Sequence, residues 1–181
     1  MDTRPAQCVV RQLGPADAAA YRALRLAALR AFPHAFRTDY EEALQQPLSW
    51  AEKRLATPGD TMFGAFDGAQ SDAPLVGAIC LRTQDGRKNR HAAELKALAV
   101  DPARQRQGIG RALMAHLVAH ARALGFIRQI KLTVTDGNTN AQQLYDAFGF
   151  RPFGLEPDAF LHDGRYYAKE HRQLKLDSHT S

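Results

Sequence analysis

A chain of 181 residues and 20 kDa is long enough for one domain with a substantial core, so no disulfide, structural metal or second domain is needed to hold it together. With 24 basic against 19 acidic residues, a formal charge of +5 and a pI near 9.5, it suits an anionic partner, either a phosphate-bearing small molecule or a nucleic acid. Cys8 and Cys80 lack paired or CxxC spacing and read as buried free thiols in a reducing cytoplasm, while the polar start MDTRPAQ and the lack of a membrane-length apolar run argue against a signal peptide or transmembrane helix.

In chain order, Cys8 to Leu13 reads as a first strand, and GPAD then supplies a turn with Asp17 as helix cap. Tyr21, Leu24, Leu26, Ala28 and Leu29 predict a first helix closed near Phe32 and Pro33, with Arg22, Arg25 and Arg30 on its exposed side. Asp39 to Ala56 reads as a second helical region broken at Pro47, with Ser49 capping the short helix that carries Trp50 and Leu55. TMFGAFDG and LVGAICLRT predict a hairpin, and ELKALAV (94–100) a further strand.

Beyond that strand the pattern is parallel α/β. Ile109, Ala112, Leu113, Leu117, Ala121 and Leu124 recur at helical spacing, with Gly125 where the helix should end. Ile130, Leu132 and Val134 then alternate as a strand, so the segment forms a right-handed βαβ unit. A short helix from about Asn140 to Phe148 follows. The rest, to about Leu176, reads as strand and turn, and the tail 177–181 as disordered.

The loop RQRQGIGRAL (104–113) carries the chemistry. It cannot be a Walker A loop, because Gly110 is followed by Arg111 and Ala112 rather than Lys and Ser or Thr. It is a poor dinucleotide fingerprint: Leu113 stands where a third glycine belongs, and no acidic residue lies between Asp101 and Asp136. What remains is an anion cradle, in which backbone amides from Gln105 to Gly110 converge on a diphosphate at a helix N-terminus, with glycine at 108 and 110 for close backbone approach.

VDPARQRQGIGRALM resembles motif A of the GCN5-related N-acetyltransferases (GNAT), with Gln105, Gly108 and Gly110 in the pattern positions. LTVTDGNTNAQQLYDAFGF resembles motif B of the same family, with Asn140, Tyr145 and the Gly-Phe ending in place. The resemblance covers roughly residues 7–176. It implies the GNAT acyl-CoA N-acyltransferase fold, a mixed α/β sheet with splayed parallel strands flanked by helices, spanning the chain as a single acetyltransferase domain.

It also implies acetyl-CoA as cosubstrate. The loop Gln105, Arg106, Gln107, Gly108, Ile109, Gly110 and Arg111 would take its diphosphate, with Arg104, Arg106 and Arg111 adding positive potential. The strand edge at Leu98, Ala99 and Val100 would pair with the pantetheine arm, and the amide of Leu98 or Ala99 would polarise the thioester carbonyl. Tyr145 is the candidate general acid, against the alternative that it packs in the core. Glu94 is the candidate base, directly or through water, against a surface pair with Lys96 or Arg128. Asn140 is read as a helix cap that also orients pantetheine.

The acceptor is an amine, of a small molecule or of a peptide N-terminus or lysine, reached by direct transfer in a ternary complex, without an acyl-enzyme on Cys8 or Cys80. The resemblance puts the acceptor wall at His34 to Glu42, Trp50 and Asp158 to Tyr167. Glu41 and Glu42 attract an ammonium group or simply compensate a helix dipole, and His34 reads as a solvated loop histidine. Ala168 after GRYY departs from the acidic residue common in related sequences, which puts any acceptor role of that strand in doubt. His116 and His120 stand at i and i+4 without a third ligand and read as packing or surface residues, so no metal is expected. The alternative function is a noncatalytic acyl-CoA sensor. Nucleic-acid and membrane partners are not expected, whereas a homodimer is compatible with the family.

Overall fold

In the computed structural model, residues 8–176 are described, so the tail expected to be disordered lies outside them. Seven strands, β1 (Val9–Gln12), β2 (Asp60–Phe66), β3 (Leu75–Thr83), β4 (Ala92–Val100), β5 (Gln129–Thr135), β6 (Arg151–His162) and β7 (Arg165–Lys175), form one sheet in the order β1-β2-β3-β4-β5-β7-β6. Only β4 and β5 run parallel, joined by the crossover helix α4 (Ile109–Ala123). Helices α1 (Ala18–Ala31), α2 (Tyr40–Leu44) and α3 (Leu48–Leu55) fill the chain between β1 and β2, and α5 (Thr139–Ala147) follows β5.

The apolar run of β3 is explained by burial on both faces. Ile79 and Leu81 join the core beneath α4, while Ala78 and Cys80 join a second core beneath α1 and α3. On α4, Ile109, Leu113, Leu117 and Ala121 form the buried stripe that the spacing predicts. Gly77 of β3 lets that helix come close: a Cβ there would lie 2.8 Å from Ile109 Cγ2 and 2.9 Å from Leu113 Cδ1.

Two irregularities shape β4. Ala78 pairs with Ala99 and Cys80 with Lys96, so Ile79 alone faces Ala97 and Leu98, a bulge in which Ala97 takes a left-handed conformation (φ 54°). On its other side β4 pairs with β5 only at Ala92–Gln129, Ala93–Ile130 and Glu94–Lys131. Beyond Glu94, β4 stays with β3 and β5 stays with β7. The two parallel strands therefore part in a V, as the family resemblance implies.

Several local expectations need correction. Pro47, not Ser49, occupies the N-cap of α3, which has no side-chain cap. Asn138, not Asn140, caps α5 by accepting from Ala141 N at 3.3 Å. Asp17 precedes α1, but its carboxylate is taken by Gly14 N and Arg11. Arg22 and Arg25 are half-buried rather than exposed, and Cys8 is half-buried while Cys80 is fully buried. No helix among the described residues is long and apolar enough to cross a membrane.

Asp60 ties α3 to the sheet. Its carboxylate is 1% exposed and accepts from Arg54 Nη1 at 2.9 Å and from Arg82 Nη2 at 2.8 Å. Burial opposes its charge, but the hydrogen bond and charge of Arg82, with Arg54 and Lys96 nearby, prevail and hold the carboxyl below its usual range.

Two stability tests follow from this packing. Gly77→Ala should cost about 1–3 kcal/mol in urea unfolding, because α4 must back away from β3. Asp60→Ala should cost roughly 3–5 kcal/mol by leaving two arginines without their counter-ion. In the wild type, the contribution of Asp60 is present above the unfolded carboxyl's pKa and is lost as pH falls through the lower folded value. The stability difference between wild type and Asp60→Ala should therefore shrink in acid.

Candidate functional site

Where β4 and β5 part, the edge of β4 at Leu98, Ala99 and Val100 becomes one wall of a cleft of about 410 Å³. The loop after β4 forms its floor. Asp101 starts this loop by accepting from Ala103 N at 2.9 Å, and a single 3-10 turn (Pro102–Arg104) leads to Gln105. Arg106 (φ 62°) and Gly108 (φ 81°) are both left-handed, a backbone of the kind that forms anion-binding concavities, and α4 begins directly after them.

None of the amides from Gln105 to Arg111 finds an acceptor among the described residues, and α4 has no side-chain cap. The first helical bond in this region runs from Ala112 N to Gly108 O, at 2.9 Å. The first N–H groups of a helix have no acceptor within it, so a row of free donors leading into a helix N-terminus suits an anion. The two glycines serve different ends. Gly108 is required by its backbone angle, since a Cβ there would meet nothing within 4 Å; a Cβ on Gly110 would press on Leu144 Cδ2 at 3.3 Å, loosening α4 from α5.

The charge around the cleft is one-sided. Arg104, Arg106 and Arg111 line it, with no carboxylate among the lining residues. Arg104, however, is already engaged: its Nη1 donates to Asp67 at 2.5 Å and its Nε to Gln107 at 2.9 Å. Gln107 is thus turned to Arg104 and does not line the cleft. Arg111 lies over the Phe148 ring at 5.8 Å from its centroid.

Of the predicted site residues, Leu98, Ala99, Val100, Gln105, Arg106, Gly108, Ile109, Gly110, Arg111 and Asn140 share this cleft. Tyr145 and Glu94 do not line it. Tyr145 follows Leu144, which does, but its own side chain is 6% exposed and packs on Phe150 with ring centroids 5.9 Å apart. Burial pushes its phenol up to about 12, partly opposed by Arg172. Glu94 sits at the closed end of the V, paired with Lys96 at 3.0 Å and accepting from Gln84 Nε2 at 3.4 Å. Its geometry matches the surface-pair alternative.

The opposite wall comes from α1 and the turn after it: Ala28, Phe32, Ala35 and Phe36. A residue that sequence reasoning did not single out holds that turn in place. Lys169 is 4% exposed, and its Nζ donates to Thr135 Oγ1 at 2.9 Å and to Ala35 O at 3.3 Å, while Thr135 Oγ1 donates to His34 O at 2.7 Å. Burial, with Arg37 nearby and against Glu156, brings the lysine down to about 8. Thr135 and Lys169 are register partners on β5 and β7, a pairing that no local pattern announces.

His34 is exposed, as a loop histidine should be, yet it is not alone. It stacks on Tyr167 at 4.8 Å and meets His162 edge-on at 4.9 Å, while Tyr167 stacks on Phe160 at 5.1 Å. Glu42 and Trp50 lie at a separate cavity, not at this cleft. Asp39 caps α2 by accepting from Glu41 N and Glu42 N, so both glutamates stand in the first turn, where they offset the dipole. His116 and His120 are both edge-on to Phe63, and burial lowers the pKa of His120.

The architecture agrees with that of known proteins. Residues 23–150 match the Acetyltransferase (GNAT) family. The [ribosomal protein bS18]-alanine N-acetyltransferase of Escherichia coli (strain K12) is 34% identical over 101 residues, which span 56% of this chain and 64% of that relative. The fold is shared with a GNAT-family acetyltransferase of Streptococcus pneumoniae (TM-score 0.78, 21% identity, 94% of this chain and 100% of that one). It is shared as well with yncA of Salmonella typhimurium, solved with its cofactor acetyl-CoA (TM-score 0.73, 23% identity, 97% of each chain). The matched span takes in both sequence motifs and the parted strands that they flank, and on these grounds the chain belongs to the GNAT acetyltransferase family.

Proposed function

We propose that the protein is an acetyl-CoA-dependent N-acetyltransferase that moves the acetyl group directly to an amine in a ternary complex. The acceptor is a small molecule or a peptide N-terminus or lysine. The observation that carries this reading is the parting of β4 and β5, which bares a strand edge continuous with a loop of unsatisfied amides. An acyl-CoA has a matching shape: a diphosphate, an arm with amide groups, and a thioester at its end.

The residues fit that donor in order. Amides from Gln105 to Arg111 receive the diphosphate, with Arg106 and Arg111 supplying uncommitted charge. The edge at Leu98 to Val100 accepts the arm as an added strand, oriented with help from Asn140. Bound acetyl-CoA supplies the activated acyl group. The amide of Leu98 or Ala99 stabilises negative charge growing on the carbonyl oxygen as the amine nitrogen attacks. The C–S bond then breaks and the leaving sulfur takes a proton. Tyr145, beside the lining residue Leu144 but itself packed on Phe150, is assigned as the donor on its motif position, a role that requires its hydroxyl to reach the sulfur from behind the cleft wall. Its burial supports this role to the extent that the phenol keeps its proton through the neutral range. The amine's proton leaves through water, by which Glu94, outside the cleft and paired with Lys96 at 3.0 Å, acts as the base.

A second reading, an acyl-CoA sensor without turnover, draws support from one observation: no carboxylate, histidine or tyrosine is among the lining residues of the cleft. Thiol release from acetyl-CoA, measured against a panel of amines and N-terminal peptides, separates the two. Turnover with one acceptor class supports the enzyme. Tight binding without turnover on the whole panel supports the sensor, and no binding overturns both.

Two variants test the assigned roles. Arg106→Gln or Arg111→Gln should weaken acetyl-CoA binding about tenfold by calorimetry and flatten its salt dependence, whereas Arg104→Gln should do less because Asp67 already holds that charge. Tyr145→Phe should lower kcat about a hundredfold with little change in acetyl-CoA affinity. In the wild type, loss of the Tyr145 proton is expected only near pH 12, so kcat should not decline between pH 7 and 10 on its account.

A further inference from the structure

Helices α1, α2 and α3 enclose a second cavity of about 180 Å³, and none of its lining residues lines the cleft between β4 and β5. It is smaller than pockets for drug-sized ligands, which run roughly 300–1,000 Å³, so its occupant is a small molecule. Its polar lining is Arg22, Arg25, Thr38, Glu42 and Gln46, beside the indole of Trp50.

The two arginines differ. Arg22 is spent on structure: its Nε and Nη2 donate to the carbonyls of Leu44 and Gln46 at the end of α2, at 2.8–3.2 Å. Arg25 is held but not neutralised. Its guanidinium lies 5.4 Å from the Trp50 ring centroid, and its Nη2 donates to Thr38 Oγ1 at 2.9 Å. Its Nε is buried without a partner, and no carboxylate among the described residues pairs with it. Glu42 lines the same cavity, and its carboxylate likewise makes no ion pair or side-chain hydrogen bond among the described residues. Arg25 and Glu42 thus line one cavity without pairing: Trp50 and Thr38 hold the cation in place, and Glu42, which is exposed, is free to meet an incoming cation.

We propose that this cavity binds a free α-amino acid, its carboxylate on Arg25 and its ammonium on Glu42, with its side chain beside Trp50. A guanidinium offers a planar fork for a carboxylate, and a zwitterion satisfies both charges at once, which a simple anion or cation does not. The site stands independently of acetyl transfer at the cleft.

Trp50 is the single tryptophan of the chain, so its fluorescence reports this cavity. Glycine, L-serine and L-leucine are titrated into the full-length protein at millimolar concentration. The leucine analogues 4-methylpentanoate, without the ammonium, and 3-methylbutylamine, without the carboxylate, serve as controls. A saturable change with at least one amino acid is expected, about tenfold weaker in Arg25→Gln and in Glu42→Gln. If leucine is bound, both analogues should be weaker by a similar factor. Circular dichroism checks that each variant folds, and Glu42→Gln, on an exposed side chain, keeps the test intact if Arg25→Gln does not. No saturable change with any of the three amino acids would overturn the proposal, as would equal binding by Glu42→Gln or by the analogue lacking the ammonium.

Discussion

Everything that makes this fold a candidate enzyme depends on where two parallel strands stop pairing. A parallel ladder is normally buried and complete, and leaving it open exposes backbone donors and acceptors that cost free energy unless something else satisfies them. Here the ladder between β4 and β5 ends at Glu94 and Lys131. The opening is kept by partners that pull the two strands apart: β3 holds β4 through the bulge at Ala97, and β7 holds β5 as far as Thr135. Ala93 and Glu94 pair with β3 and β5 at once, so it is the direction in which the antiparallel neighbours carry each strand, and not a shortage of pairing edges, that keeps the V open beyond them. The exposed edge is therefore a stable property of the sheet, available to any ligand that can complete it.

The basic composition has a narrower meaning once the arginines are placed. Arg54 and Arg82 serve Asp60, Arg172 joins β7 to α5 through Asp146 at 2.7 Å and also pairs with Glu170 of its own strand, and Arg104 serves Asp67. Arg106 and Arg111 have no ion pair among the described residues and lie at the cradle. A net charge of +5 pointed to an anionic partner, but it could not say which cations were free to meet one.

What was legible in the sequence follows the range of the interactions. The stripe of α4 and the cradle loop are set by residues close together in the chain, and their spacing announces them. The Ala97 bulge is not announced, because alanine has no special claim on a left-handed angle and takes it only when the β3 register demands it. Asn138 and Asn140 are equally suited to capping, and the two-residue difference is decided by where β5 ends. Lys169 and Arg172 owe their burial to partners 26 or more residues away, so their strand pattern alone could not mark them. Tyr145 was legible as a motif residue, but its placement in the core rather than on the cleft wall depends on how α5 rolls against Phe150.

The two ends of the cleft ask different things of what binds there. The end at the loop offers amides and two uncommitted arginines, a setting for phosphate charge. The opposite wall, built from Ala28, Phe32, Ala35 and Phe36, offers no charge to an ammonium group. A cation moved against such a wall loses hydration without gaining a partner, so its pKa falls and the neutral amine is favoured. Under the proposed reaction, neutral amine is the form that attacks. The apolar wall would then do by desolvation part of what a general base does by proton transfer, and a cleft without a carboxylate is consistent with catalysis on those terms.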